Sequence, residues 1–142
     1  MRTVSACFRI YSEMLTPEDI AERTGIPATA CWHRGDTRGG RALQSHLWEF
    51  EIDYDESETL DSVISRTLRA LSSARVAISR LAGVERTFWC AVFSDTLETT
   101  VSLSPATLNG MAELGAELSC SIYATAFDDE PASASNDPHS MH

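Results

Sequence analysis

The phrase Leu15-Thr16-Pro17-Glu18-Asp19-Ile20, closed by Gly25-Ile26-Pro27, spells out a helix together with both of its ends. Thr16 suits the capping position, Pro17 the first helical position, and Asp19 the place from which a capping-box acid reaches back. Leu15 and Ile20 occupy the hydrophobic-staple positions. Gly25 suits the left-handed site just past the last turn, with Ile26 as the apolar contact that folds back. The phrase recurs as Leu103-Ser104-Pro105-Ala106-Thr107-Leu108, closed by Gly115. In this 142-residue chain the phrase and its echo constrain the architecture more than any other feature, and they say nothing of the chemistry.

Between and around them the residue pattern supplies strands. Thr3–Ile10 alternates, with Val4, Ala6, Phe8 and Ile10 on one side and Thr3, Ser5, Cys7 and Arg9 on the other, as in a half-buried strand. Residues 26–44 read as a long irregular stretch containing Gly35, Gly39 and Gly40, and a loop of that length in a small domain is functional or mobile. His46–Asp55 reads as a second strand, with His46, Trp48, Phe50, Ile52 and Tyr54 on one face and Leu47, Glu49, Glu51, Asp53 and Asp55 on the other. Residues 59–82 carry helical periodicity, but one helix of that length would span on the order of 36 Å, so a break is expected near Ser72-Ser73. Arg86–Phe93 and Thr99–Leu103 read as a hairpin joined by Ser94–Glu98. The second capped helix, Pro105–Leu114, and a last strand, Ser119–Phe127, follow. The order β-α-β-α-β-β-α-β predicts an α+β domain over residues 1–127. Its expected form is a single, mainly antiparallel or mixed sheet with helices on one face, of ferredoxin-like flavour. Residues 128–142, acidic and small, are expected to form a disordered tail.

Charge narrows the range of functions. The net charge is −10, and all 11 cations are arginines. Four of the 21 acids lie in residues 128–142, leaving 17 against 11 arginines in the rest. An acidic body argues against nucleic acid and against anionic membranes as partners, and permits a basic protein. No apolar run approaches the ~20 residues of a membrane helix. Met1-Arg2 leads into strand-like alternation rather than a signal-peptide core, so the expected compartment is the cytoplasm. The four cysteines, at 7, 31, 90 and 120, include no C-x-x-C pair and read as small buried hydrophobes.

The ordered features resemble a known bacterial family. They are a first strand ending Phe8-Arg9-Ile10, then Leu15-Thr16-Pro17-x-x-Ile20 closed by Gly25-Ile26-Pro27, then Gly35-Asp36 and Leu47-Trp48. A long amphipathic helix, Leu103-Ser104-Pro105-x-x-Leu108 and Ile122-Tyr123 complete the set. It is similar to the domain-of-unknown-function family four-two-seven-nine over roughly residues 3–127. The resemblance implies no activity and no catalytic residues.

Two stretches stand out as candidate sites. In His33-Arg34-Gly35-Asp36-Thr37-Arg38-Gly39-Gly40-Arg41, guanidiniums and a histidine alternate with glycines. Arginine forks pair with phosphate or carboxylate, and glycines let backbone N–H groups approach an anion. His33, Arg34, Arg38 and Arg41 are therefore the candidate anion-binding residues, although the Walker pattern and its lysine are absent. The alternative is a solvated loop whose arginines pair with the chain's own acids. Glu49, Glu51, Asp53 and Asp55 form the second candidate, a row of carboxylates about 6.8 Å apart at the strand rise. That row is either answered by Arg9 and Arg86 across the sheet or a docking face for a basic partner. Cys31, His33, Asp36 and His46 are chemically able to hold zinc, but at spacings that match no standard motif. No metal, cofactor or catalytic residue is assigned. Trp32, Trp48 and Trp89 read as core or loop anchors.

The function expected from these residues is non-catalytic binding of a macromolecule, in its most concrete form an immunity-type protein that neutralises a basic toxin. The first alternative is a small-molecule, nucleotide or anion binder using residues 33–41. The second is a small hydrolase or metal enzyme built around His33, Asp36 and His46.

Overall fold

A computed structural model describes residues 2–96 and 98–124, with the backbone alone described at Arg2. The chain runs β1 (Arg2–Ser12), α1 (Pro17–Thr24), β2 (Ala30–Trp32), β3 (Thr37–Arg38), β4 (Arg41–Ala42), β5 (His46–Phe50), α2 (Leu60–Ala70), α3 (Arg75–Ser79), β6 (Val84–Ser94), α4 (Pro105–Leu114) and β7 (Glu117–Ala124). Five strands form one sheet in the order β2-β5-β1-β6-β7, and β3 and β4 form a separate two-stranded ribbon. The β2–β5, β5–β1 and β1–β6 pairs are antiparallel. β6 and β7 are parallel, which requires a crossover, and α4 supplies it. The domain is thus α+β with a mainly antiparallel, mixed sheet.

Both capped helices begin and end where their sequences place them. Thr16 Oγ1 accepts the Asp19 N–H at 3.1 Å while Asp19 Oδ2 accepts the Thr16 N–H at 3.0 Å. Gly25, at φ 76°, closes α1 in the left-handed region, where a side chain is disfavoured. Ser104 caps α4 by accepting from the Thr107 N–H at 3.2 Å. Its own N–H donates to Asp61 Oδ1 at 2.8 Å, tying the start of α4 to the first turn of α2. The helical pattern of residues 59–82 breaks as expected: α2 ends at Ala70, a 3₁₀ turn occupies Ser72–Ala74, and α3 follows.

One core joins the helices to a single face of the sheet. Val4, Ala6, Phe8 and Ile10 of β1 lie opposite Val92, Cys90 and Phe88 of β6 and Trp48 of β5. All of them are buried in one cluster with Ile20, Val63, Ile64, Ile78, Met111 and Leu114 from the four helices. Fully burying one such side chain contributes about 1.5–3 kcal/mol, so this face carries most of the stability.

Four expectations are corrected. Residues 26–44 are not wholly irregular, since they hold edge strand β2 and the β3–β4 ribbon. The second strand ends at Phe50, not Asp55. Beyond it the Tyr54 hydroxyl takes the place of a ladder carbonyl and accepts the Ala6 N–H at 3.1 Å. The Val4 N–H then donates to the Glu56 carbonyl at 3.0 Å. Thr99–Leu103 forms no strand, because β1 and β7 already occupy both edges of β6. Val101 and Leu103 satisfy their apolar character by packing against the core. Cys31 is exposed and Cys120 only partly covered, so Cys7 and Cys90 alone behave as buried hydrophobes. Leu97, the end of the last strand beyond Ala124, and the expected tail at 128–142 lie outside the described residues. Among those described, no helix is long and apolar enough to cross a membrane.

Candidate functional site

The arginine-glycine stretch is a flap. β3 and β4 pair as Thr37↔Ala42 and Arg38↔Arg41 around Gly39 and Gly40, at φ 63° and 80°, the two positive values a tight type I′ turn demands. Gly39 and Gly40 therefore serve the turn. The flap is anchored at its base. The Gly35 N–H donates to the Leu43 carbonyl at 2.9 Å, and the Leu43 N–H to the Asp36 carbonyl at 2.8 Å. The His33 N–H donates to Asp36 Oδ2 at 2.8 Å, and the Arg34 N–H to His46 Nδ1 at 2.9 Å. His33 Nε2 lies 2.7 Å from Glu18 Oε1 at the start of α1. That contact raises the pKa of His33 above the usual histidine value and lowers that of Glu18. The two imidazoles meet edge to face at 5.9 Å. His33, Asp36 and His46 are thus brought together: the two ring nitrogens tie the flap to α1 and β5, and the Asp36 carboxylate closes the turn at its base.

Two like charges face each other across the ribbon at Arg38 and Arg41, a pairing that destabilises unless something answers it. Arg38 lies over the Trp32 ring, 4.1 Å from its centroid. Arg34 and Arg41 are exposed, and no ion pair with them occurs among the described residues.

The face of the sheet opposite the helices is the larger feature. Register puts Thr3, Ser5, Cys7, Arg9 and Tyr11 of β1 beside Phe93, Ala91, Trp89 and Thr87 of β6 and Glu49 and Leu47 of β5. Tyr123 of β7 follows, next to Phe93. Trp89 is 37% exposed, Phe93 42% and Tyr123 48%. Phe93 and Tyr123 stack at 5.0 Å with their planes 12° apart. The Arg9 guanidinium lies 4.5 Å from the Trp89 ring centroid, and its Nε donates to Glu49 Oε1 at 2.9 Å. Desolvation opposes its charge, but the Tyr11 hydroxyl, which accepts from Nη1, and the Glu49 carboxylate hold its pKa above the ordinary value. Burial, with the Glu49 charge, pushes the Cys7 thiol up to about 12, and burial does the same to Cys90, so neither thiol serves as a nucleophile near neutral pH. A cleft of about 210 Å³ lies between flap and sheet, lined by Arg9, Tyr11, Arg38, Leu43, Gln44 and Leu47.

The carboxylate row is dispersed. Glu49 is on the open face and belongs to Arg9. Glu51, Asp53 and Asp55 fall in the irregular segment after β5. There Glu51 accepts the Tyr54 O–H at 3.2 Å, and Asp55 accepts from the Ser57 N–H and O–H. Arg86, expected to answer these acids, instead donates to the carbonyls of Ile78, Ser79 and Leu81 and caps the end of α3. Trp48 is a core anchor as expected, and Trp32 anchors the flap. Trp89 belongs to neither group: it is surface. The sequence signal was present, since Trp89, Ala91 and Phe93 make both sides of β6 apolar while helices cover only one. Among the described residues no group of three or more His, Cys, Asp and Glu side chains is placed to hold a metal ion.

A family described as a domain of unknown function (DUF4279) matches residues 2–125, and the chain belongs to it. No curated protein and no solved structure matches the chain.

Proposed function

We propose that this member of the DUF4279 family works without catalysis, capturing a basic protein on the open face of its sheet, in the manner of an immunity protein. The observation that carries the reading is the stacked pair Phe93 and Tyr123, exposed on the same face as Trp89, which has Arg9 laid across it. Monomeric soluble proteins rarely leave large aromatic patches uncovered, and Trp, Tyr and Arg are the residues that dominate binding energy at protein interfaces. The net charge of −10 supplies the partner's chemistry, because a field of that sign speeds encounter with a basic surface and repels acidic ones. Glu51, Asp53 and Asp55, exposed along the segment on the far side of β1 from the patch, add to the steering field.

Capture from the native host with the immobilised chain, at low and moderate salt, tests this. Basic proteins retained by the wild type and lost by a Trp89→Ser, Phe93→Ser variant support it, provided hydrogen exchange of the purified pair shows protection on β1 and β6. Retained proteins that are acidic, or protection confined to the helices, would overturn it.

One observation favours a second reading, a small anion seated under the flap. Arg38 and Arg41 face each other beside a cleft that Arg9 also lines, and a bound carboxylate or phosphate would relieve their repulsion. Phosphate and small carboxylates should then raise the melting temperature of the wild type, and Arg38→Ala should abolish the shift.

A further inference from the structure

The two edges of the sheet are built differently. β2, at one edge, has three residues, and a short edge strand is a common defence against unwanted pairing. β7, at the other edge, has eight, and among the described residues nothing pairs with its outer side. It carries none of the usual protection, since from Leu118 to Ala124 there is no Lys, Arg, Pro, Asp or Glu. Its side chains are open as well: Leu118 is 37% exposed and Ile122 52%, both on the side where the helices lie but beyond their cover.

The geometry points to a second copy of this chain as the partner of β7, the two strands pairing antiparallel about a two-fold axis through Cys120. An isologous contact must be self-complementary, and this register is. It sets Leu118 of each copy opposite Ile122 of the other, Ser119 opposite Ser121, and Cys120 opposite its own twin. A two-fold perpendicular to the sheet pairs residues of the same face, which only an even register satisfies. Centring on Cys120 is the register that joins the two exposed aliphatics directly, the close cross-strand pairing that stabilises a sheet.

Charge selects the same partner and place. Two chains of −10 repel over most of their surfaces, and a charge-free edge is where they can approach. The one acid of β7, Glu117, stands at its start, so in this register the two Glu117 side chains are about 20 Å apart at the strand rise. That separation exceeds the ~8 Å over which exposed charges act at physiological salt. The result is a continuous ten-stranded sheet whose two open faces point the same way. The pairing does not depend on what those faces bind.

Light scattering after size exclusion, over a concentration series of the full chain, tests the pairing. The wild type should run at twice the chain mass. Leu118→Lys and Ile122→Glu, each at an exposed position, should run at the single-chain mass with unchanged circular dichroism. The double variant L118K/I122E should regain the doubled mass, because each lysine then meets a glutamate across the two-fold. A wild type at the single-chain mass throughout would overturn the proposal and leave the edge to solvent or to the chain's own residues. Single variants that stay doubled would place the contact elsewhere, and a double variant that stays single would reject the register.

Discussion

Two faces of one sheet, built from the same strands, have opposite fates. Along β1 the even positions Val4, Ala6, Phe8 and Ile10 vanish beneath four helices, while the odd positions Thr3, Ser5, Arg9 and Tyr11 remain half-exposed. Along β6, Phe88, Cys90 and Val92 are buried, whereas Trp89 and Phe93 are not. The residues are comparably apolar on both sides of β6, so hydrophobicity does not decide which side is covered. What decides is β1, whose apolar side, Val4, Ala6, Phe8 and Ile10, is the side that packs with the helices. One face pins the fold, and the aromatic surface that remains on the other is free to act on something else.

The comparison breaks most readily at its strongest point. Phe8, fully buried against Trp48 and Phe88, should cost about 3–5 kcal/mol on truncation to Ala, read as a fall in the urea midpoint at constant slope. Next comes the device that positions the covering helix. Gly25→Val forces a β-branched residue into the left-handed region and should cost about 1–2 kcal/mol. Thr16→Ala, which removes the capping-box hydroxyl, should cost about 1 kcal/mol. On the open face, Trp89 is already 37% exposed, so Trp89→Ser, which loses the contact with Arg9, should cost less than Phe8→Ala. If Trp89→Ser destabilises as much as Phe8→Ala, the two faces are not distinct in the way described.

The smallest effect concerns the flap. His33 has a raised pKa and Glu18 a lowered one, each chiefly through their mutual hydrogen bond. The contribution from His33 is complete at pH below its unfolded value and is lost as pH rises through its raised folded value. The contribution from Glu18 is present above its unfolded value and is lost as pH falls through its lowered one. The tie is therefore complete at mildly acidic pH and weakens on either side. Protection of the Gly35 and Leu43 amides, taken relative to their intrinsic exchange rates at each pH, should be greatest there and should fall above neutrality, with the global melting temperature little changed. Glu18→Gln should bring the His33 titration, followed by NMR, back toward the ordinary histidine midpoint.

What could be read from the sequence divides along the same physical line. Local grammar was legible: Thr16, Asp19, Gly25, Ser104 and Gly115 act within a few residues of themselves, and the helices start and stop where those residues put them. The alternation of β1 was legible too, because its two sides differ in polarity. The rest depends on partners distant in the chain. β2 and the β3–β4 ribbon are too short to show a period and exist because Leu47–Glu49 and the Gly39-Gly40 turn complete them. Thr99–Leu103 alternates like a strand but finds both edges of β6 taken. The row of carboxylates ends at Glu49 because the Tyr54 hydroxyl, not a backbone carbonyl, meets the Ala6 N–H. The exposure of Trp89 had a signal only at the level of the sheet: both sides of β6 are apolar, and which one the helices leave open depends on the neighbouring strand β1. In the arginine-glycine stretch the dipeptide Gly39-Gly40 makes a tight turn between β3 and β4, a local role that glycine composition alone does not distinguish from an approach to an anion.

The most direct measurement sets stability and capture side by side in one variant. Trp89→Ser, Phe93→Ser and Tyr123→Ser combined remove the exposed aromatics and leave Phe8, Trp48 and Phe88 untouched. Thermal unfolding and retention of the basic partner are then followed on the same preparation. The expected result is a cooperative transition close to that of the wild type together with loss of retention. Undiminished retention would contradict the assignment of the open face as the docking surface. Collapse of the cooperative transition would show that this face holds the fold together after all.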